Sequence, residues 1–248
     1  MRRPGGLVPR TGLAAFALII ALAAPVCGAQ AGACRPAVPL PQPTQPANLG
    51  VLKLQLLEYK CLGGYERDFA SVIAEAKAYV GQRAGAVARP ALVLDIDETS
   101  LSNWPQIEAD DFGFIPGGAC ELKPGQPCGF DEWVLKGAAP KLGPTLDLFN
   151  AAVADRVSVF FISGRDAEAQ QAVTVRNLAD VGYKGWADVL LRPRAIYRTV
   201  AEFKTAERRR LSEQGYTIIA NVGDQQSDLD GGYAERTFRV PNPFYYIP

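Results

Sequence analysis

Two aspartates one residue apart, Asp95 and Asp97 in the segment Asp95-Ile96-Asp97-Glu98-Thr99, stand directly after the apolar run Ala91-Leu92-Val93-Leu94. A tight turn at the end of a buried strand can aim both carboxylates into one cleft. An ordinary acidic turn has the same composition, so the pair gains meaning only from partners later in the chain. Ser163-Gly164-Arg165 closes a second apolar run. There a hydroxyl beside a glycine offers a side-chain donor and a backbone N–H to a phosphoryl oxygen, although a helix N-cap would use the same residues. Lys204, near the start of a helical stretch, can neutralise a phosphoryl group and its attacker; an isolated surface lysine is the plain alternative. Gly223-Asp224-Gln225-Gln226-Ser227-Asp228 closes a third apolar run with two more carboxylates. Together with Asp95 they can supply the few hard oxygen ligands that magnesium prefers.

The elements that must carry these groups are legible in the same residues. From Pro144 the chain alternates: a helix to Ala154, a strand over Val157–Ile162, a helix over Ala167–Val181 and a short strand Val189–Leu191. A further helix spans about 201–214, and the next strand covers Thr217–Val222. With the strand before Asp95, this repeated βα pattern predicts an α/β fold, a Rossmann-like parallel sheet flanked by helices. Ligands bind beyond the carboxyl ends of such strands, where the three polar clusters fall. Upstream, Asn48 can cap a helix through Leu49, Leu52, Leu56 and Tyr59. Gly63-Gly64 ends it before a second helix carrying Phe69, Ile73, Ala76 and Val80. The Gly- and Pro-rich segment of about 105–140 holds Phe112, Phe114, Phe130 and Trp133 and reads as an ordered flap inserted after the first motif.

Composition restricts the chemistry. The 248 residues contain no histidine, and the 26 basic and 26 acidic residues cancel. The first fact removes the usual general base, the phosphohistidine nucleophile and the commonest zinc ligand. Hydrolysis must therefore run on carboxylates, cysteines, lysines or an oxygen-held metal. The second removes any long-range field that would draw a nucleic acid polymer or an anionic membrane.

At the N-terminus, Arg2, Arg3 and Arg10 precede the apolar run from Leu13 to Val26 and the small residues through Ala33. This is the three-part pattern of a secretory signal peptide, assigned to residues 1–31, and the run is too short to span a bilayer. Residues 32–47 form a Pro-rich leader, and the domain occupies 48–248. Periplasmic or secreted export is the expectation, with lipid anchoring at Cys34 as the alternative. Cleavage removes Cys27 and leaves Cys34, Cys61, Cys120 and Cys128, an even number suited to an oxidising compartment. Cys120 with Cys128 is the favoured pair, which leaves Cys34 for Cys61.

Taken in order, the motifs resemble the haloacid dehalogenase superfamily, and within it the plant-type class B acid phosphatases that include vegetative storage proteins. Class C bacterial acid phosphatases are related. The matching pieces are Leu94 to Thr99, Phe130-Asp131-Glu132-Trp133-Val134, Ser163-Gly164-Arg165, Asn177-Leu178 with Gly182-Tyr183 and Gly185-Trp186, Lys204-Thr205, Gly223-Asp224-Gln225 with Ser227-Asp228-Leu229, and Pro241-Asn242-Pro243 with Tyr245-Tyr246-Ile247. They cover roughly residues 50–248.

The resemblance implies a magnesium-dependent acid phosphatase acting on small phosphomonoesters. Asp95 would be the nucleophile that forms an aspartyl-phosphate, and Asp97 the general acid and then base. Ser163, the Gly164 backbone and Lys204 would hold the phosphoryl oxygens. Asp95, the Asp97 carbonyl and Asp224 would bind the metal, with Asp228 orienting water or Lys204. A storage or binding protein on the same fold is the competing reading, set against the retention of Asp95, Asp97, Lys204 and Asp224. Dehalogenation is disfavoured, because a halide needs no proton from Asp97. The flap aromatics Phe112, Phe114 and Trp133, with Trp104, either pack the flap or stack on a nucleobase. The oligomeric state and the natural substrate stay open.

Overall fold

The computed structural model describes residues 47–123 and 126–247. The signal segment and residues 32–46 of the Pro-rich leader, with Cys34, lie outside the described residues. Two helices come first, α1 (Leu49–Cys61) and α2 (Gly64–Arg83), the former capped by the Asn48 side chain, which accepts from Val51 N at 3.2 Å. Next are β1 (Pro90–Leu94), α3 (Trp104–Ala109), α4 (Phe130–Lys136), α5 (Gly143–Ala154), β2 (Ser158–Asp166), α6 (Ala167–Asp180) and β3 (Asp188–Arg192). The chain ends with α7 (Val200–Glu213), β4 (Thr217–Gly223), α8 (Gln226–Leu229) and β5 (Arg236–Arg239).

The strands form one parallel five-stranded sheet in the order β3-β2-β1-β4-β5. Alternate side chains face opposite layers. Leu92, Leu94, Val159 and Phe161 join the core built with Tyr65, Phe69 and Ile73 of α2 and Leu148 and Phe149 of α5. Ala91, Val93, Phe160 and Ile162 pack instead with Phe203 and Leu211 of α7. The fully apolar run before Asp95 is thus explained by burial on both faces. The fold expected from the sequence is present, with β5 and α8 added at its C-terminal side.

Strand order decides where a site can form. From β1 the chain moves outward through β2 to β3, then returns across the sheet to β4 on the other side of β1. The layers diverge where that order reverses, and a crevice opens beyond the carboxyl ends of β1 and β4. Asp95 follows β1 and Asp224 follows β4; Leu94 pairs with Val222, and Asp95 N donates to Val222 O at 2.9 Å.

The flap is ordered by polar anchors and by helices that its glycines and prolines concealed. Pro105 sits at the start of α3, where its missing N–H costs nothing. Cys120 and Cys128 are disulfide-bonded, and Cys61 is also in a disulfide. Asp110 Oδ1 accepts from Cys128 N at 2.5 Å, tying α3 to the bridged loop.

Candidate active site

The chain turns sharply after β1. Ile96 O accepts from Ser100 N at 2.9 Å and Leu101 N at 2.8 Å, and Ser100 Oγ donates to Asp95 O at 2.6 Å. Glu98 adopts φ 50°, a left-handed conformation costly for a side-chain-bearing residue. Its buried carboxylate secures that conformation by accepting from Tyr65 OH at 3.0 Å and from Asn103 N. Burial pushes this carboxyl up to about 7. Thr145 Oγ1 and Tyr183 OH clamp the turn from outside by donating to Thr99 O at 2.6 Å and Ser100 O at 2.9 Å.

Lys204 reaches the turn from α7. A capping box starts that helix: Thr199 Oγ1 accepts from Glu202 N and Glu202 Oε2 from Thr199 N, each at 3.1 Å. The helix phase then puts Phe203, Lys204, Arg208 and Leu211 on the buried face. Lys204 Nζ donates to Asp95 Oδ1 and, at 2.7 Å, to Asp228 Oδ1. Burial works against this ammonium, but the Asp228 and Asp95 carboxylates outweigh it and hold its proton firmly.

Asp228 accepts from Gln225 N at 2.9 Å through its other oxygen, so the loop after β4 closes on itself. Asp224 accepts from Gln225 Nε2 at 2.7 Å and Asn242 Nδ2 at 2.6 Å. Oxygens of Asp95, Asp224 and Asp228 all lie within 4.8 Å of one another. Burial and the charges of Asp228 and Asp95 push Asp224 well above the usual carboxylate range, and burial pushes Asp95 up to about 7 despite Lys204. Three crowded carboxylates against one ammonium leave an excess of negative charge, and hard anionic oxygens are the donor set that magnesium takes. The residues present fit a divalent cation.

Asp97 is held differently. Arg165 grips it with Nε at 3.1 Å and Nη2 at 2.7 Å, and Asn103 Nδ2 adds a bond at 3.0 Å. Burial alone would raise this carboxyl, but the guanidinium and amide hold it below its ordinary value. Asn103 Oδ1 in turn accepts from Trp133 Nε1 of α4 at 2.8 Å, which links the flap to Asp97. Arg165 Nη1 donates to Thr174 Oγ1 at 3.0 Å.

Asp95, Asp97, Gly164, Lys204, Asp224 and Asp228 line one cavity of about 290 Å³. Ser163 is fully buried, is not among the lining residues, and accepts from Arg165 N at 3.2 Å. The N-cap of α6 is Asp166, which accepts from Glu168 N and Ala169 N, so Ser163 is not spent on capping. Among the aromatics, Trp133 is buried, and Trp104 and Phe112 pack with each other and with Phe244. Of Phe112, Phe114, Trp133 and Trp104, weighed above as stacking residues, Phe114 alone faces the cavity, beside the flap residue Phe130 and Tyr245.

Residues 44–248 match the family model of the HAD superfamily, subfamily IIIB (acid phosphatase). The chain belongs to this family. It is a phosphomonoester hydrolase of the acid phosphatase class. It is 35% identical over 193 residues to Acid phosphatase 1 of Solanum lycopersicum, which covers 77% of this chain and 72% of that one. It is 40% identical over 159 residues to the Stem 28 kDa glycoprotein of Glycine max, 62% of this chain and 59% of the relative. Vegetative storage protein 1 of Arabidopsis thaliana is 31% identical over 157 residues, 63% of this chain and 55% of that protein. A class C acid phosphatase from Bacillus anthracis shares the fold at a TM-score of 0.62 and 23% identity, covering 80% of this chain and 86% of its own.

Sequence reasoning gave no role to Asn103, Arg165, Arg192 or Asn242. Arg165 meets Asp97 across 68 residues, a distance no local pattern reports. Asn242 had a visible signal: the prolines on either side fix its backbone where the chain returns to Asp224.

Proposed function

We propose that this acid phosphatase works by phosphoryl transfer to Asp95, and that the chain is exported. The carrying observation is the convergence at one cavity of an aspartate bonded to a buried ammonium, a second aspartate bonded to a guanidinium, and a crowded acidic loop. An Asp95 oxygen attacks phosphorus, the bond to the ester oxygen breaks, and Asp97 gives the departing alcohol its proton. Asp97 then takes a proton from the water that attacks the aspartyl-phosphate, which releases inorganic phosphate and frees the Asp95 carboxylate; the proton on Asp97 leaves with the departing phosphate, which returns Asp97 to its ionised form. Gly164 and Lys204, which line the cavity, are assigned to the phosphoryl oxygens, Asp228 to positioning Lys204, and Ser163, whose hydroxyl accepts from Arg165 N, to holding the turn that carries Gly164 and Arg165.

The ion pair with Arg165 bears on the proton inventory. Asp97 is ionised in the free enzyme, so it must gain its proton with the substrate. A phosphomonoester below its second pKa of about 6 brings one, and its oxygens compete for the guanidinium. Acidic pH supplies substrate in that protonated form. Asp95, Asp224 and the Asp97 carbonyl would hold magnesium, with Asp228 nearby; when bound, the ion would neutralise the crowded carboxylates and the developing phosphoryl charge. Export is supported by the N-terminal apolar run and by the disulfide between Cys120 and Cys128. No helix among the described residues is long and apolar enough to cross a membrane.

Asp95→Asn tests the reading. Hydrolysis of an aryl phosphate should vanish while the melting curve persists; full turnover in the variant would refute the nucleophile, and only absence of hydrolysis by the unmodified chain would favour the storage or binding reading.

A further inference from the structure

Four cations line the catalytic cavity: Arg165, Arg192, Arg194 and Lys204. Three are paired. Arg165 bonds Asp97, Lys204 bonds Asp95 and Asp228, and Arg194 bonds Asp131 at 3.1 Å and Asp166 at 3.2 Å. Arg192, the last residue of β3, has no carboxylate at hydrogen-bonding distance among the described residues. Its Nη1 makes one long contact, 3.4 Å to Arg198 O, and its Nε is buried with no hydrogen-bond partner. Asp166 acts on it only at Coulombic range, and Arg194 repels it. A buried guanidinium N–H without an acceptor is costly, so this wall of the cavity is short of one anion.

Sheet order locates that deficit. β1, β2 and β3 are consecutive neighbours, so Arg192 stands two strand spacings, about 10 Å, across the sheet from the strand that carries Asp95. Phe114, Phe130 and Tyr245 line the same cavity. An apolar or aromatic body therefore fits between the reacting phosphoryl group and Arg192.

Resting on the assignment of phosphoryl transfer to Asp95, we propose that Arg192 is a specificity-determining residue that selects phosphomonoesters bearing a second anionic group, a carboxylate or a phosphate, at the end remote from the scissile bond. The pairs of Arg194 with Asp131 and Asp166 stay intact when the remote group of such a substrate binds, because Arg192 supplies its own unspent donors. A charge-assisted hydrogen bond of this kind is worth at least about tenfold in discrimination.

The test uses three esters on one ring: 4-carbamoylphenyl phosphate, 4-carboxyphenyl phosphate and 1,4-phenylene bisphosphate. They share the ring and the para position and carry a remote group that is neutral in the first and anionic in the other two; the rate for the bisphosphate is divided by two for its two equivalent esters. Phosphate release by the full chain with magnesium should give a kcat/KM for one or both anionic esters at least about tenfold above that of the carbamoyl ester. Preference for both marks a site for anions in general, and preference for the bisphosphate alone marks a second phosphate. In Arg192→Gln the preference should collapse toward unity. Equal kcat/KM for all three esters in the unmodified enzyme overturns the proposal, even if the variant fails to fold, and so does a preference that survives in Arg192→Gln. The underlying mechanism fails separately, through retained turnover in Asp95→Asn.

Discussion

Replacing Asp97 by Asn removes the proposed proton donor and leaves Arg165 facing an amide. The Arg165 side chain is 1% exposed, and its Nε and Nη2 both bond Asp97 in the folded protein. Losing one partner of a buried ion pair costs about 3–5 kcal/mol when nothing replaces it. Here the amide oxygen still accepts and Thr174 still takes Nη1, so a loss of roughly 2–3 kcal/mol is expected. In a domain of this size that lowers the melting midpoint by about 5–10 °C.

The kinetic consequence is larger and depends on the alcohol that leaves. General acid catalysis contributes about 10²–10⁴-fold, and an aliphatic alkoxide needs that proton far more than a nitrophenolate does. Turnover of an alkyl phosphate by Asp97→Asn should therefore fall much further than the phosphorylation step with 4-nitrophenyl phosphate. Hydrolysis of the aspartyl-phosphate also loses its base, so rapid mixing should show a burst of nitrophenol and then a slow steady state. Equal losses for both esters with no burst would refute the assignment of Asp97 as acid and base.

Removing divalent cations with a chelator should abolish activity, and magnesium should both restore it and raise the melting midpoint by relieving repulsion among Asp95, Asp224 and Asp228; a midpoint insensitive to magnesium contradicts the site. Gly223→Ala would place a Cβ 2.4 Å from Asp228 Cβ and 2.5 Å from its Oδ2. The displaced carboxylate should loosen Lys204, with a loss of activity of about tenfold or more and of stability of about 1–3 kcal/mol, read by phosphate release and denaturant titration. Trp133→Phe leaves Asn103 Oδ1 without its donor; a stability loss of about 1–3 kcal/mol and a several-fold lower kcat are expected, and an unchanged kcat would uncouple the flap from Asp97.

The groups proposed to do the chemistry can be picked out from the linear chain. Apolar runs bounded by polar clusters mark buried parallel strands, because both faces of such a strand are covered and its exit is where polar groups meet solvent. That local signal sufficed to place Asp95, Asp97, Ser163, Lys204, Asp224 and Asp228 at strand ends or on the helix facing them. The absence of histidine excluded most other hydrolytic machinery. The short strand β5 escaped notice because Arg236 and Arg239 flank only two other residues, leaving no periodicity to read. The helices α3 and α4 were hidden inside a segment whose glycines and prolines argue for loop.

How those groups are paired is a property of the folded chain. Asp95 and Asp97 are equivalent in sequence, yet their carboxyls shift in opposite directions: burial and the neighbouring carboxylates outweigh the α7 ammonium at Asp95, whereas the guanidinium from the end of β2 and the Asn103 amide outweigh burial at Asp97. Trp133 proved to be a hydrogen-bonded support for Asn103, and Phe114 an exposed wall of the cavity, although both read alike as flap aromatics. Arg192 carried no local mark at all. Its meaning comes from being the one cation in the cavity wall without a carboxylate among the described residues, and charge balance across four strand ends and a helix exists only once the chain has folded.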